Sequence, residues 1–323
     1  MSGGGSATAL RIATRESPLA LWQARHVASL IRQRFPEQEV ELVPLSTMGD
    51  RDRREALSRL GGQGGFTREI QQAVLNNRAD LAVHSLKDLP TVPTEGLVLA
   101  GVPEREIRYD ALVLPKGTAG TLESLAADAR IGTGSPRRQA QLRRMQPSWN
   151  LAEIRGNVET RLRKLDEGEY DAILLAEAGL IRLGLADRIS QRLQPPDFYP
   201  AVGQAALGIE CRSDDPAAQQ VLAALCHSVT MQEVTAERAC LATLKAGCHA
   251  PVGVYGRIEG AQLMLSGVVL SLDGVDRFFA EESIEASIEA ASELGALVAT
   301  RLIEQGAGEV IRASENQEPG AET

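Results

Sequence analysis

Short apolar runs alternate with helix-length amphipathic stretches from about Leu10 to Gln305. Leu10-Arg11-Ile12-Ala13-Thr14 reads as a short buried strand; Ser17 then caps, and Pro18 opens, a helix through about Arg34. The same grammar returns at Arg130-Ile131-Gly132-Thr133, a strand end, followed by Ser135-Pro136 and a helix through about Met145. A second echo follows, because Asp80 to Ser85 and Asp171 to Ala176 each read as a helix exit feeding a buried strand. With Glu39–Leu45 and Leu151–Ile154 as middle strands, each half predicts strand, helix, strand, helix, strand, hence two similar α/β domains with mostly parallel sheets. From about Ser228 the texture changes to a helix to about Ala246, strands near 252–258, 262–271 and 275–283, and a helix from about Ile284 to Gln305. That pattern predicts a smaller α+β C-terminal domain. The expected division is 9–104 with 203–224 as domain 1, 108–200 as domain 2 and 228–313 as domain 3. The polar ends, 1–8 and 314–323, are expected to be disordered. The first half alone carries a long insertion, Thr47 to Gly65, charged at its start and glycine-rich at its end, which is expected to act as a mobile lid.

Composition narrows the function classes. With 323 residues and 43% apolar content the chain has room for two or three folded domains. No apolar run reaches the roughly 18 residues of a membrane span, and the first ten residues show no secretion or transit pattern, so a cytoplasmic address is expected. The four cysteines form no C-x-x-C pair and there are only four histidines, so free thiols and no metal are expected. A net charge of −9 with 3% aromatics argues against nucleic acid as a partner. Basic residues are nevertheless dense locally: Arg130 to Lys164 holds nine Lys/Arg against two acids. Two readings stand, a solvated basic helix face or a site for a polyanionic small molecule. Arg143 and Arg144 read as solvated helix surface.

In open α/β sheets ligands bind beyond the carboxyl ends of the strands. Those ends bring Arg15, then Ser85-Leu86-Lys87-Asp88, then Thr133 to Arg138, then Arg155. Arginines suit planar capture of carboxylates, and the helix start after Ser135 adds open N–H groups. Ser17 and Ser135 also read simply as N-caps. Asp88 is an acid among these cations, but residue pattern alone favours a turn former before Leu89-Pro90. Cys248 follows Gly247 on a loop after a helix end that disfavours thiolate, and pattern alone makes it a small buried hydrophobe.

Five stretches bear a resemblance: RIATRESPLALWQ from Arg11 to Gln23, NRADLAVHSLKDLP from Asn77 to Pro90, Arg155-Gly156-Asn157, Ala201 to Gln204, and Ala246 to Pro251. In order and with little slippage, they resemble the successive signatures of hydroxymethylbilane synthases, also named porphobilinogen deaminases. The resemblance implies two periplasmic-binding-protein-like α/β domains and a third bearing the cofactor cysteine. It implies a dipyrromethane joined to Cys248 through a thioether, a bond that needs no activated thiolate because the attacking partner is a strong electrophile. Asp88 takes the position of the catalytic aspartate, which stabilises the cation left when porphobilinogen loses ammonia and relays the proton lost after each coupling. Ser85, Lys87, Thr133, Ser135, Arg137 and Arg138 fall where the family binds its cofactor. Arg15, Ser17, Gln23, Arg155, Arg161 and Arg182 fall where it binds substrate. The family expectation is a monomer acting on porphobilinogen.

The chain departs from the usual pattern at Gln63, where many relatives have lysine, at Gly134 and Pro136, where many have Ser and Leu, and at Met48, where many have Arg. These changes bear on turnover and the lid. Other classes with duplicated α/β halves are non-catalytic solute-binding proteins and the effector domains of transcription regulators. The first needs a secretion signal and the second a helix-turn-helix, and the sequence displays neither. A purely structural thiol at Cys248 is the remaining alternative.

Overall fold

A computed structural model describes residues 9–45, 67–247 and 250–315. The expected lid with Met48 and Gln63, the residues at 1–8 and 316–323, and Cys248 with its neighbour His249 lie outside the described residues. The chain divides into two compact units, one reaching Arg105 and resuming over Ala206–His227, the other formed by Glu106–Ala205 and everything from Ser228.

The first unit opens with β1 (Leu10–Arg15), α1 (Pro18–Arg34), β2 (Val40–Leu45), α2 (Arg68–Leu75), β3 (Leu81–Ser85) and β4 (Leu97–Gly101). The second begins with β5 (Asp110–Val113), β6 (Arg130–Gly132), α3 (Pro136–Met145), β7 (Asn150–Ala152), α4 (Val158–Asp166), β8 (Ala172–Ala176), α5 (Glu177–Arg182) and β9 (Gln191–Leu193). The chain then returns to the first unit for β10 (Leu207–Arg212) and α6 (Pro216–Ala223). It ends in the second with α7 (Ser228–Thr243), β11 (Val252–Glu259), β12 (Gln262–Leu270), β13 (Arg277–Glu285), α8 (Ile288–Glu304) and α9 (Ala307–Glu315).

The internal echo is a topological repeat. One sheet runs β2-β1-β3-β10-β4 and the other β7-β6-β8-β5-β9. In each, three parallel strands from consecutive strand–helix units are joined by one antiparallel strand and an edge strand. The antiparallel strand arrives late in the first unit, as β10, and early in the second, as β5. A three-stranded antiparallel sheet, β11-β12-β13, packs with α7 and α8 in the C-terminal part, so the fold is α/β with a smaller α+β region.

Period-two alternation builds both cores. Ile12, Leu81 and Val83 pack with Ala24, Val27 and Ile31 of α1, whereas Ala13 and Ala82 face Ile70, Ala73 and Val74 of α2. In the second unit Ile131 and Leu174 pack with Leu142 of α3, and Ile173 and Leu175 with Leu162 and Leu165 of α4. Ser17 and Ser135 cap their helices, accepting from the Ala20 and Arg138 N–H groups.

One reading is corrected here. Arg143 is not solvated helix surface, being half-buried and donating to the Leu272 carbonyl; Arg144 is exposed as expected, yet donates to the carbonyls of Gly274 (3.4 Å) and Val275 (3.1 Å). Helix α3 docks on the turn between β12 and β13, where Gly274 has φ +78° and a Cβ would lie 2.6 Å from the Ala140 carbonyl oxygen. The apolar pattern of α3 does not reveal this, because the contact joins arginine stems to backbone carbonyls.

Candidate active site

The first unit gathers Arg15, Ser17, Gln23, Ser85, Lys87 and Asp88 toward the carboxyl edge of its sheet. Arg15 ends β1 and Ser85 ends β3, two adjacent parallel strands. Buried Gln23, on α1, donates to the Ser85 hydroxyl at 2.8 Å, tying helix to strand end. Immediately after β3, Leu86–Asp88 forms one 3-10 turn. Leu86 and Leu89 are buried, the Leu86 N–H donates to the Ala206 carbonyl at 3.0 Å, and the Leu89 N–H closes the turn on the Leu86 carbonyl at 3.2 Å. Between these two anchors Lys87 is half-buried and Asp88 exposed. The Asp88 carboxylate makes no hydrogen bond or ion pair among the described residues.

Gly208 leaves room for the leucine side chains under that turn. A Cβ at this position of β10 would meet the Leu86 Cδ1 at 2.8 Å and the Leu99 Cδ1 at 3.1 Å, so the leucine under the turn would have to move. Gly208→Ala is therefore expected to lower turnover about tenfold while costing about 1–2 kcal/mol of stability. Steady-state kinetics beside a denaturant titration check this; unchanged kinetics would mean that Leu86 does not set the position of Asp88.

The second unit repeats the arrangement. Strands β6, β7 and β8 end at one edge, and Thr133 to Ser135 and Glu153 to Arg155 follow them. Thr133 is fully buried, its hydroxyl accepting from the Ser135 N–H at 3.3 Å. Arg155 pairs with Glu153 at 2.6 Å, both side chains well exposed (40% and 56%). Such a surface pair is worth less than about 1 kcal/mol, so a ligand carboxylate can replace Glu153 cheaply. Gly156 has φ +116° and a Cβ there would lie 2.6 Å from Thr160, while Asn157 caps α4 by accepting from the Thr160 N–H at 2.9 Å. Arg-Gly-Asn is thus a turn-and-cap device that presents Arg155 on one side and Arg161 on the other. Arg161 is half-buried and donates to the Gly156 carbonyl at 2.8 Å.

Three expected site arginines lie deeper. Arg137 and Arg138 are 5% and 6% exposed and share the carboxylate of Asp110, itself fully buried. Burial pushes the Asp110 pKa up, but Arg137 and Arg138 more than offset it and hold the carboxyl well below the usual range. Its ionisation therefore adds stability above the ordinary carboxylate pKa, which is lost as pH falls below it. Arg182 donates to the Ala205 carbonyl at 2.6 Å, and burial, only partly offset by Glu106, pushes its guanidinium down to about 10, still protonated at neutral pH.

Of the local basic density, much is thus structural. Arg130 stacks on Tyr170, Arg137 and Arg138 hold Asp110, Arg143 and Arg144 hold a turn, and Arg163 pairs with Glu167. Among the described residues no cluster of His, Cys, Asp and Glu could hold a metal ion.

Comparison with known proteins decides what the site belongs to. Residues 10–220 match the porphobilinogen deaminase, dipyrromethane cofactor binding domain, and residues 231–304 match the porphobilinogen deaminase C-terminal domain. The porphobilinogen deaminase of Xanthomonas campestris pv. campestris is 48% identical over 304 residues, covering 94% of this chain and 99% of that one. The chain belongs to the porphobilinogen deaminase family. The porphobilinogen deaminase of Pelobacter propionicus is 45% identical over 297 residues, covering 92% of this chain and 94% of that protein. Among solved structures, the periplasmic VFT2 domain of Bordetella pertussis BvgS aligns with 72% of the chain at 13% identity and a TM-score of 0.41.

As a porphobilinogen deaminase the chain is a transferase, a hydroxymethylbilane synthase, and its first matched domain is the one that binds dipyrromethane. The non-catalytic anion-binding alternative is not favoured. Within the second unit the donors fit a group rich in carboxylates: Arg155, Arg161 and the Ser135 hydroxyl at the start of α3. Sequence reasoning missed Asp110 and Gly208 in this deaminase. Asp110 lay in no recognised strand, and nothing local distinguishes Gly208 from any strand glycine.

Proposed function

We propose that this porphobilinogen deaminase condenses four porphobilinogen molecules head to tail, using Asp88 for charge and proton handling and Cys248 to hold the dipyrromethane, and then releases hydroxymethylbilane by hydrolysis. In each coupling the C–N bond of the aminomethyl group breaks and ammonia leaves. The methylene carbon then bonds to the free α-carbon of the acceptor pyrrole, which loses a proton. When bound, dipyrromethane supplies the first such α-carbon. The residues of the chain do the rest.

Asp88 carries the reading: an exposed carboxylate on a turn clamped by buried Leu86 and Leu89, with no bond among the described residues, supports a role in binding the pyrrole N–H groups. There it stabilises the cation that remains after ammonia leaves, and accepts the proton lost after coupling. Arg15, Lys87, Arg155 and Arg161 bind the acetate and propionate groups, with Ser17, Gln23, Ser85, Thr133 and Ser135 as neutral partners. Arg137 joins them in binding carboxylates, whereas Arg138 and Arg182 act from beneath, mainly by position and field. A carboxylate-rich substrate is consistent with cations concentrated locally in a chain of net charge −9. The working form we propose is a cytoplasmic monomer without nucleic-acid or membrane partners; no helix among the described residues is long and apolar enough to cross a membrane.

Incubating the purified chain with porphobilinogen is expected to consume it, releasing four ammonia per hydroxymethylbilane. The Michaelis constant should rise with ionic strength as exposed Arg155 and its neighbours are screened. Binding of porphobilinogen without release of ammonia would reject the catalytic reading in favour of a solute-binding one.

A further inference from the structure

We infer that Asp110 is a positioning residue, whose carboxylate holds Arg138 as a spacer and leaves Arg137 as the member of the pair with nitrogens for a ligand carboxylate. The inference rests on the reading proposed above that this edge of the second unit binds carboxylates.

Topology places Asp110. Strand β5 runs antiparallel to β8 with Asp110 opposite Ala176, so its first residue lies at the edge where β6, β7 and β8 end. An antiparallel strand in a mostly parallel sheet thus delivers an acid to the ligand-binding edge, directly beneath the α3 start. The bonds there are unequally shared. Asp110 Oδ1 accepts from Arg138 Nε (3.0 Å) and Nη2 (2.6 Å) and from Gln204 Nε2 (3.1 Å), and Arg138 Nη1 donates to the Leu174 carbonyl at 2.9 Å. Every nitrogen of Arg138 is engaged by the protein. Arg137 engages only Nη1, shared between Asp110 Oδ2 (2.7 Å) and the Tyr199 carbonyl, and its Nε and Nη2 make no hydrogen bond among the described residues.

Charge leads the same way. One carboxylate and two guanidiniums leave a net +1 in a buried cluster, and burial together with the Arg138 charge lowers the Arg137 pKa. Buried cations without full compensation are costly, so one further carboxylate completes the cluster. A ligand acetate or propionate on Arg137 supplies it. Gln141 and Gln204 brace the set, Gln141 by donating to the Tyr199 carbonyl at 3.1 Å and Gln204 by donating to the Arg108 carbonyl at 2.9 Å.

The test compares Asp110→Asn, Arg137→Gln and the double variant Asp110→Asn with Arg138→Met. The double change removes one charge of each sign and restores the net +1, so it keeps a folded protein available should Asp110→Asn alone fail to fold. Read-outs are the thermal midpoint, the fraction of chains carrying the dipyrromethane by intact mass, and KM separately from kcat. Asp110→Asn and the double variant are expected to raise KM about tenfold or more, with a smaller fall in kcat and a reduced adduct fraction. A purely structural ion pair would lower the midpoint and leave the KM of the folded protein unchanged; that result in either variant overturns the inference. Wild-type KM and full adduct in Arg137→Gln would instead overturn the reading that Arg137 meets a ligand carboxylate.

Discussion

Asp88→Asn is expected to lower turnover by about two to three orders of magnitude, roughly 3–4 kcal/mol, while the fold and the covalent cofactor remain. The two halves of that expectation have separate causes. Stability is spared because the Asp88 carboxylate is exposed and makes no bond among the described residues, and substitutions at such positions usually change stability by less than about 0.5 kcal/mol. Turnover suffers because the amide keeps the shape of the side chain and loses its charge, and that charge is proposed to stabilise each cation formed as ammonia leaves. Leu86, Leu89 and the Leu86 N–H bond to Ala206 anchor the turn that carries the carboxylate, as the proposed role requires. Turnover, thermal unfolding and intact mass measured on one preparation check the expectation. Wild-type turnover in a folded, cofactor-bearing variant would remove Asp88 from the mechanism.

What could be read from the chain divides along physical lines. The strand-cap-helix units at Leu10–Arg34 and Arg130–Met145 were legible because a Ser-Pro pair carries its mechanism locally: the hydroxyl caps and the proline opens the helix. The helix from Ser228 and the three C-terminal strands were legible from period and turn residues. Strands β4, β5 and β9 were not. They are three to five residues long, and β5 belongs to its sheet only through antiparallel partners far along the chain, Ala176 and Leu193. The role of Asp110 depends on that pairing, so it was hidden with the strand. Arginines were legible as a charge density but not as individuals. Residues adjacent in sequence, Arg137 and Arg138, differ in what their nitrogens hold, and Arg143 and Arg144 turn out to fasten a turn. Charge counting registers the cations and misses the carbonyls and the one buried carboxylate that engage them.

The largest expected effect belongs to Cys248→Ala: complete loss of the covalent dipyrromethane and of hydroxymethylbilane formation. Cys248 lies outside the described residues, and the argument for it comes from its place in the Ala246 to Pro251 signature and from the other three thiols. Cys211 is fully buried, its thiol pushed up to about 11 by burial, with Asp215 adding to the shift. Cys240 is fully buried in the C-terminal core, and burial, with Glu237, pushes it up to about 12. Cys226 is half-buried and its Sγ donates to the Ala100 carbonyl at 3.4 Å. Packing or bonding thus occupies each of them. Replacing Cys211, Cys226 or Cys240 by alanine should keep both the adduct and the activity, with stability losses of about 1–2 kcal/mol at the two buried positions. Intact mass before and after unfolding separates a covalent group from a tightly bound one, because only the former survives denaturation. A Cys248→Ala protein that still carried the adduct and made hydroxymethylbilane would place the attachment at another residue, whereas loss of both in Cys248→Ala alone makes that thiol the anchor on which the chain is built.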